Sequence, residues 1–279
     1  PMTLWSRSHS LQRKIIAAIV LVGLLPLTLL LALTYVEERR ALREMTGANF
    51  KEVAVEAARR IEMQVSRGMN EAQQLATTPL LHTAVAEANR TYEGKDARSI
   101  QGMIKDWQQR WRQRDQQSEF PLFINRIVTN YLIRWHDIRK SDYIGILVTD
   151  NQGALVVSSI PQVEYFYGKT PWWQAVVKGG SLRGYVSEIA FDPAFGTHVV
   201  VVAAPILDDT KGTVIGTVTI LLRRDTIFHA IAEVSIGATG HAMLFSSDGV
   251  PVICPVMSPE EHTIKPELIG ALGELKSGW

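Results

Sequence analysis

Cysteine is almost absent: Cys254 is the single one in 279 residues. That excludes an internal disulfide and any zinc site built on paired cysteines; it fits the periplasm and the cytosol equally. An excess of one charge is missing as well. Lys and Arg number 29 against 28 Asp and Glu, for a formal net charge of +1, and no segment gathers basic residues into a motif, so no nucleic-acid partner is expected. Catalytic patterns are lacking too. There is no G-x-S-x-G elbow and no phosphate-binding glycine loop, and the seven histidines are scattered without the i, i+4 pair of a helix-borne metal site. His198 and His241 read as strand residues with local hydrogen bonds. We therefore expect no cofactor, no metal and no catalytic site within these residues, while an enzymatic output region elsewhere in a longer protein stays open.

Charge is absent altogether from Ile15 to Val36, a run of 22 residues. Spanning a bilayer core as helix takes roughly 20 apolar residues, whereas the apolar region of a signal peptide is usually about 7 to 15 and precedes a small-residue cleavage site. Here Glu37, Glu38, Arg39 and Arg40 follow directly, so the run reads as an uncleaved anchor, with Pro26 tolerated inside it. Arg7, Arg13 and Lys14 on one side nearly balance Arg39, Arg40 and Arg43 on the other. The tail before the span has no acidic residue, which favours leaving it in the cytoplasm and exporting everything after Val36, as a single-pass protein of the cell inner membrane.

Proline is also absent from Glu37 to Thr78, and glycine is sparse there. Val53, Ala57, Ile61, Val65, Met69, Ala72 and Leu75 recur at spacings of three and four, the period of one helical face. A continuous stalk helix follows, reaching roughly 60 Å at ~1.5 Å per residue. Its apolar face must be covered by the rest of the domain, by a second copy in a homodimer, or by both. Pro79 marks its end, and two further helical segments are predicted near Ser99–Arg114 and Phe123–Arg139. The stripe Ile100, Met103, Ile104, Trp107 and Trp111 in the first, and Trp135 in the second, read as core.

From Tyr143 the pattern changes to short β-branched runs between turn signals. Tyr143–Thr149, the turn Asp150-Asn151-Gln152-Gly153 and Ala154–Ser158 predict a hairpin. Tyr185–Phe191, Thr197–Ala204 and Thr213–Leu222 supply three more strands, interrupted by Asp192-Pro193 and by Asp208 to Gly212. The expectation is an antiparallel sheet of about five strands, then a helix over Asp225–Val234. A second strand-turn-strand follows, His241–Ser246, Ser247-Asp248-Gly249 and Val250–Ile253, whose pattern echoes the first hairpin and suggests two similar modules in series. Gly179-Gly180 reads as a helix stop.

The order of these elements resembles the double Cache sensor domains of bacterial chemoreceptors, histidine kinases and related receptors. The residues that carry the resemblance are the anchor and stalk, Asp150-Asn151-Gln152-Gly153, Pro171-Trp172-Trp173, Ala203-Ala204-Pro205-Ile206, Lys211 to Gly216 and Gly237-Ala238-Thr239-Gly240-His241. The resemblance implies an α+β fold: a transmembrane helix, a long stalk helix, an antiparallel PAS-like sheet module that holds a small-molecule ligand, and the start of a second such module. The expected division is a cytoplasmic tail over 1–14, a transmembrane helix over 15–36, stalk and helical segments over 37–142, a membrane-distal module over 143–236 and a truncated membrane-proximal one over 237–279. The implied function is ligand sensing outside the cytoplasm for a signal-transduction receptor whose output domain lies beyond this fragment; the alternative is a membrane-tethered binding or assembly domain without output.

Members of that family that bind amino acids use an arginine two residues before a tryptophan, with tyrosines and two aspartates. Thr170 stands where the arginine is expected, and an apolar residue near Leu221 replaces the second aspartate, while Trp172, Trp173 and Asp192 match. Threonine lacks the bidentate fork of a guanidinium, so amino-acid specificity does not carry over. The aromatic density between Tyr165 and Trp173 exceeds what a short connection needs and fits a pocket wall. The expected ligand-binding residues are Tyr165, Tyr167, Lys169, Trp172, Trp173, Tyr185 and Asp192, with packing beneath the loop as the rival role of the rings and an Asp-Pro turn as that of Asp192.

Overall fold

Helix α1 runs without interruption from Leu11 to Ala76, 66 residues that take Pro26 in their stride. This computed structural model describes residues 11–113, 126–161, 163–232, 234–236, 240–245 and 251–254. The chain divides into two compact units, the first reaching Val53 and the second starting at Ala54. In the first unit the helix exposes its large apolar side chains from Ile15 to Val36, and it is long and apolar enough to cross a membrane. Thr28 and Thr34 turn their hydroxyls back onto the carbonyls of Leu25 and Leu30, which keeps those polar groups satisfied within an apolar run.

In the second unit the same helix buries one face. Ala57, Ala72 and Leu75 are buried and Ile61, Val65 and Met69 pack against the core, as their spacing predicts. Helix α2 (Pro79–Arg90) starts at the residue expected to end the stalk. Proline stops a helix but also suits the first helical position, where its missing N–H has no partner to lose, so the expected end of the stalk is a helix start as well. Helices α3 (Ala97–Gln113) and α4 (Arg126–Ile138) fall where periodicity predicts them. Asp96 caps α3, its carboxylate accepting the Ser99 N–H at 2.7 Å, and this bond holds its pKa below the usual carboxylate range.

The sheet is antiparallel throughout. Strands β1 (Tyr143–Asp150), β2 (Leu155–Ser158), β3 (Tyr185–Val186), β4 (Ala190–Asp192), β5 (Thr197–Leu207) and β6 (Val214–Arg223) stand in the order β2-β1-β6-β5-β3, with β4 also on β5. The single strand predicted over Tyr185–Phe191 is two. Ser187 divides it: its hydroxyl accepts the Val201 N–H at 2.8 Å in place of a backbone carbonyl, and the ladder resumes only at Ala190. Register sorts the two faces. Val148, Val218 and Ala204 lie side by side in one row, and Leu147, Thr219 and Ala203 in the next, so the two rows point to opposite faces.

Helix α5 (Pro171–Trp173) continues as one π turn over Gln174–Lys178 and stops at Gly179-Gly180, where Gly180 takes φ +63°. Helix α6 (Arg224–Ala232) follows β6. Two short ladders come last, β7 (Ser235–Ile236) with β8 (Gly240–His241) and β9 (Leu244–Phe245) with β10 (Pro251–Ile253). Gly237-Ala238-Thr239 and the turn Ser247-Asp248-Gly249 lie outside the described residues.

Candidate functional site

The β1–β2 turn organises the site. Asp150 ends β1 with its Oδ1 accepting the N–H groups of Gln152 at 2.8 Å and Ala154 at 2.9 Å, which closes the turn in the manner typical of aspartate. Gly153 completes it at φ +87°, and a Cβ there would meet the Gly168 backbone at 2.4 Å. Asp150 Oδ2 points the other way and accepts the Tyr92 hydroxyl at 2.7 Å. Tyr92 sits just beyond α2, whose Asn89 donates to the Ile215 carbonyl at 2.8 Å and accepts the Asn151 N–H at 3.1 Å. The end of α2 is thus pinned to both β6 and the turn.

A cavity of about 330 Å³ opens between these elements. Ala84, Glu87 and Ala88 of α2, then Thr91 and Tyr92, form one side; Met103, Ile104 and Trp107 of α3 and Val128 of α4 form another; Asp150, β2 residues Leu155 to Val157 and Tyr165 close it. The volume is at the lower end of small-ligand sites. Asp150 is 1% exposed, and that burial pushes its pKa up against the hydrogen bonds from Tyr92 and the turn that draw it down. Burial, followed by the Asp150 charge, likewise raises the pKa of both Tyr92 and Tyr165. A larger depression of about 550 Å³ lies beside Pro79, His82, Pro205 and Asp209. His82 Nε2 lies 3.7 Å from the exposed Asp209 carboxylate, and among the described residues no buried carboxylate lines it.

The expected residues are distributed over several places. Tyr165 is buried, lines the cavity and packs against Trp111 with ring centroids 6.1 Å apart. Trp172 and Trp173 are buried on the face that carries Ala203, in a small apolar cluster with Val176, against which Tyr167 and Tyr185 pack half-buried. The Trp173 indole N–H donates to the Asp150 carbonyl at 3.2 Å. Tyr167 stacks obliquely on Trp172 at 5.4 Å. Lys169 is exposed. Asp192 accepts the Ala194 N–H at 2.9 Å and with Phe195 and Gly196 shapes the β4–β5 turn, the rival role assigned to it. The cavity therefore brings Tyr165 together with Asp150, expected as a turn residue, and with Ile104 and Trp107, expected as core. Tyr92 carried no signal in the sequence at all. Among the described residues no group of three His, Cys, Asp or Glu is placed to hold a metal.

Comparison with known proteins adds a family. The Cache domain model matches residues 38–278. No curated protein matches. Among solved structures, the V. cholerae histidine kinase DctB sensor domain aligns at 12% identity and TM-score 0.44 over 67% of this chain, which spans only 59% of that domain. The ligand-binding domain of the Pseudomonas aeruginosa PAO1 amino acid chemoreceptor PctB, in complex with L-Arg, aligns at 17% identity and TM-score 0.36 over 78% of this chain and 72% of its own. The ligand-binding domain of the Campylobacter jejuni chemoreceptor Tlp3 with 4-methylisoleucine aligns at 12% identity and TM-score 0.36, covering 69% and 70%.

Proposed function

The chain belongs to the Cache domain family, and from this premise we propose that it senses a small molecule outside the cytoplasm for a membrane signal-transduction receptor. The Ile15–Val36 stretch is the anchor, everything after Val36 is extracytoplasmic, and residues 143–236 form the membrane-distal module with a second module from 237. A homodimer through the stalk helix is part of the same reading, and the output domain belongs to the parent protein.

The observation that carries the proposal is the cavity of about 330 Å³ over Asp150. Its walls are apolar and aromatic with a few convergent polar groups, the ordinary form of a small-ligand site. Tyr165 is the one residue of the expected set that lines it; Trp173, in the apolar cluster with Trp172, holds the turn that Asp150 closes through its indole N–H. Such an arrangement responds to a ligand only through different affinities for two states of the domain.

The test is a metabolite screen by thermal shift on the 279-residue chain in nanodiscs. A ligand binding only the folded state at about 100 times its dissociation constant stabilises it by roughly 2.7 kcal/mol. Ala88→Leu, which fills the cavity from α2, should abolish the shift of a true hit. A hit that binds Ala88→Leu as well as wild type, and loses affinity in Tyr185→Ala instead, moves the site to the tryptophan cluster. A reporter fused after Leu222 tests orientation: activity of a strictly cytoplasmic reporter there refutes external sensing.

A further inference from the structure

We infer that α1, just beyond its apolar run, carries a binding site for the headgroup of an anionic phospholipid, whose phosphate lies between Arg39 and Arg43 above Tyr35. The inference rests on the Ile15–Val36 stretch being the membrane anchor and adds a specific lipid partner.

The distribution of charge is the first reason. Neighbours on a helical surface stand three and four positions apart, and by that spacing Arg40 meets Glu37 and Glu44. Arg39 meets only Tyr35, Val36, Leu42 and Arg43, and Arg43 only Arg39, Arg40, Thr46 and Gly47. Glu38, adjacent to Arg39 in sequence, stands about 100° round the helix. Arg39 and Arg43 thus have no acidic neighbour on their own face and are each other's like-charged one, which weakens a helix. An anion between them turns that repulsion into two attractions. Both arginines are exposed, and among the described residues neither side chain has an ion pair or a hydrogen bond.

Depth along the helix is the second. At ~1.5 Å per residue Arg39 stands about 4.5 Å and Arg43 about 10 Å beyond Val36, and the headgroup layer is roughly 5–7 Å thick on each side of the hydrocarbon. Side chains of a helix lean toward its N-terminus, here back toward the bilayer, which brings the long Arg43 side chain to the level of Arg39. Tyr35, exposed one turn below Arg39, sits where interfacial aromatics gather. Continuity with the span is the third reason. Arg39, Leu42, Arg43 and Thr46 line one depression along the helix, and below Tyr35 the same face continues as the exposed Leu31 and Leu24. Two guanidinium groups and a hydroxyl suit phosphate oxygens, and the leucines suit the acyl chains attached to that phosphate. A soluble phosphate gains nothing from the leucines. A zwitterionic lipid brings an ammonium that the arginines repel.

The experiment titrates phosphatidylglycerol and phosphatidylcholine of identical acyl chains onto the 279-residue chain in neutral detergent micelles, with retained lipids counted by native mass spectrometry. Phosphatidylglycerol should bind at least about tenfold more tightly, each arginine contributing about fivefold. Arg39→Gln and Arg43→Gln should each lose about that factor, and the double variant should erase the preference. Arg40→Gln removes the same charge from the side flanked by acids and should leave the preference within about twofold of wild type. Equal retention of the two lipids overturns the site, as does a preference that survives the double variant. A loss in Arg40→Gln as large as in Arg39→Gln overturns it too, since net charge alone would then explain the binding. Displacement of the lipid by an equal concentration of sn-glycerol 3-phosphate overturns the lipid as occupant. Flotation with neutral phosphatidylcholine vesicles separates this inference from the reading beneath it. A chain that floats but fails the titration refutes the lipid site alone, and a chain that does not float refutes the anchor and the site with it.

Discussion

Replacing Tyr92 by phenylalanine removes one oxygen and keeps the ring. That oxygen donates to Asp150 Oδ2 over 2.7 Å, and the carboxylate is 1% exposed, so bulk water does not take its place. A hydrogen bond to a charged group is worth about 1.5–3 kcal/mol; because Tyr92 itself is only half-buried, Tyr92→Phe should cost the lower part of that range, about 1.5–2 kcal/mol, once Asp150 is ionised. The pH dependence has a definite sign. Burial raises the folded pKa of Asp150 above its unfolded value, so the folded state holds the proton longer and stability falls as pH rises through the folded pKa. The Tyr92 hydroxyl opposes this by binding the charged form. Removing it lifts the folded pKa further. The difference between the two proteins is therefore smallest in acid, where Asp150 is protonated in both, and grows as pH rises through the wild-type folded pKa until Asp150 is ionised in the variant as well. Urea unfolding followed by tryptophan fluorescence at steps from about pH 4 to 8 measures it. Tyr92's own pKa is pushed upward, so the phenol keeps its proton throughout that window. A difference that is flat with pH, or that stays below about 0.5 kcal/mol across the whole series, refutes the assignment of Tyr92 as donor to an ionisable, buried carboxylate. In an Asp150→Asn background the pH dependence should vanish.

Trp173→Ala should destabilise the domain by about 3–5 kcal/mol, since a buried large ring leaves a cavity, whereas Trp173→Phe should cost about 1 kcal/mol for the lost indole hydrogen bond to the Asp150 carbonyl; a loss below about 1 kcal/mol for the alanine variant would place the ring outside the core. Gly153→Ala should lower the melting temperature more than its φ of +87° alone implies, because the added Cβ meets the Gly168 backbone; a variant as stable as wild type refutes that close approach. The carboxyl of Asp208, held by Thr210 and by the Lys211 N–H, should titrate at about 2 by NMR. It stabilises the fold above its unfolded pKa and loses that contribution as pH falls from the ordinary aspartate range through the folded value; titration at the ordinary value would show that the β5–β6 turn does not hold it.

The fold was legible where its signals are local. The alternation and turn residues of β1 and β2 lie within sixteen positions, Tyr143 to Ser158, so the hairpin could be read directly, and the stalk declared itself by period. Helix α2 was missed because a single proline carries two opposite meanings, and the split at Ser187 because a serine hydroxyl can replace a ladder carbonyl. The site was less legible for a different reason. Trp172 and Trp173 attracted attention as an aromatic cluster, but residue type says nothing about which sheet face a ring meets; that depends on Ala203 lying in the row opposite Val148. Asp150 was hidden by its own turn chemistry. One carboxylate oxygen closes the hairpin, as any Asp-x-x-Gly suggests, while the other meets a tyrosine 58 positions earlier. The geometry that makes this meeting occur is set by Asn89, whose amide bonds Ile215 on β6 and Asn151 in the turn at once. It fixes the end of α2 against the sheet. Tyr92, three residues on, then reaches Asp150 with its hydroxyl while its ring stays in the wall, and the space left between α2, α3 and β2 becomes a cavity instead of core.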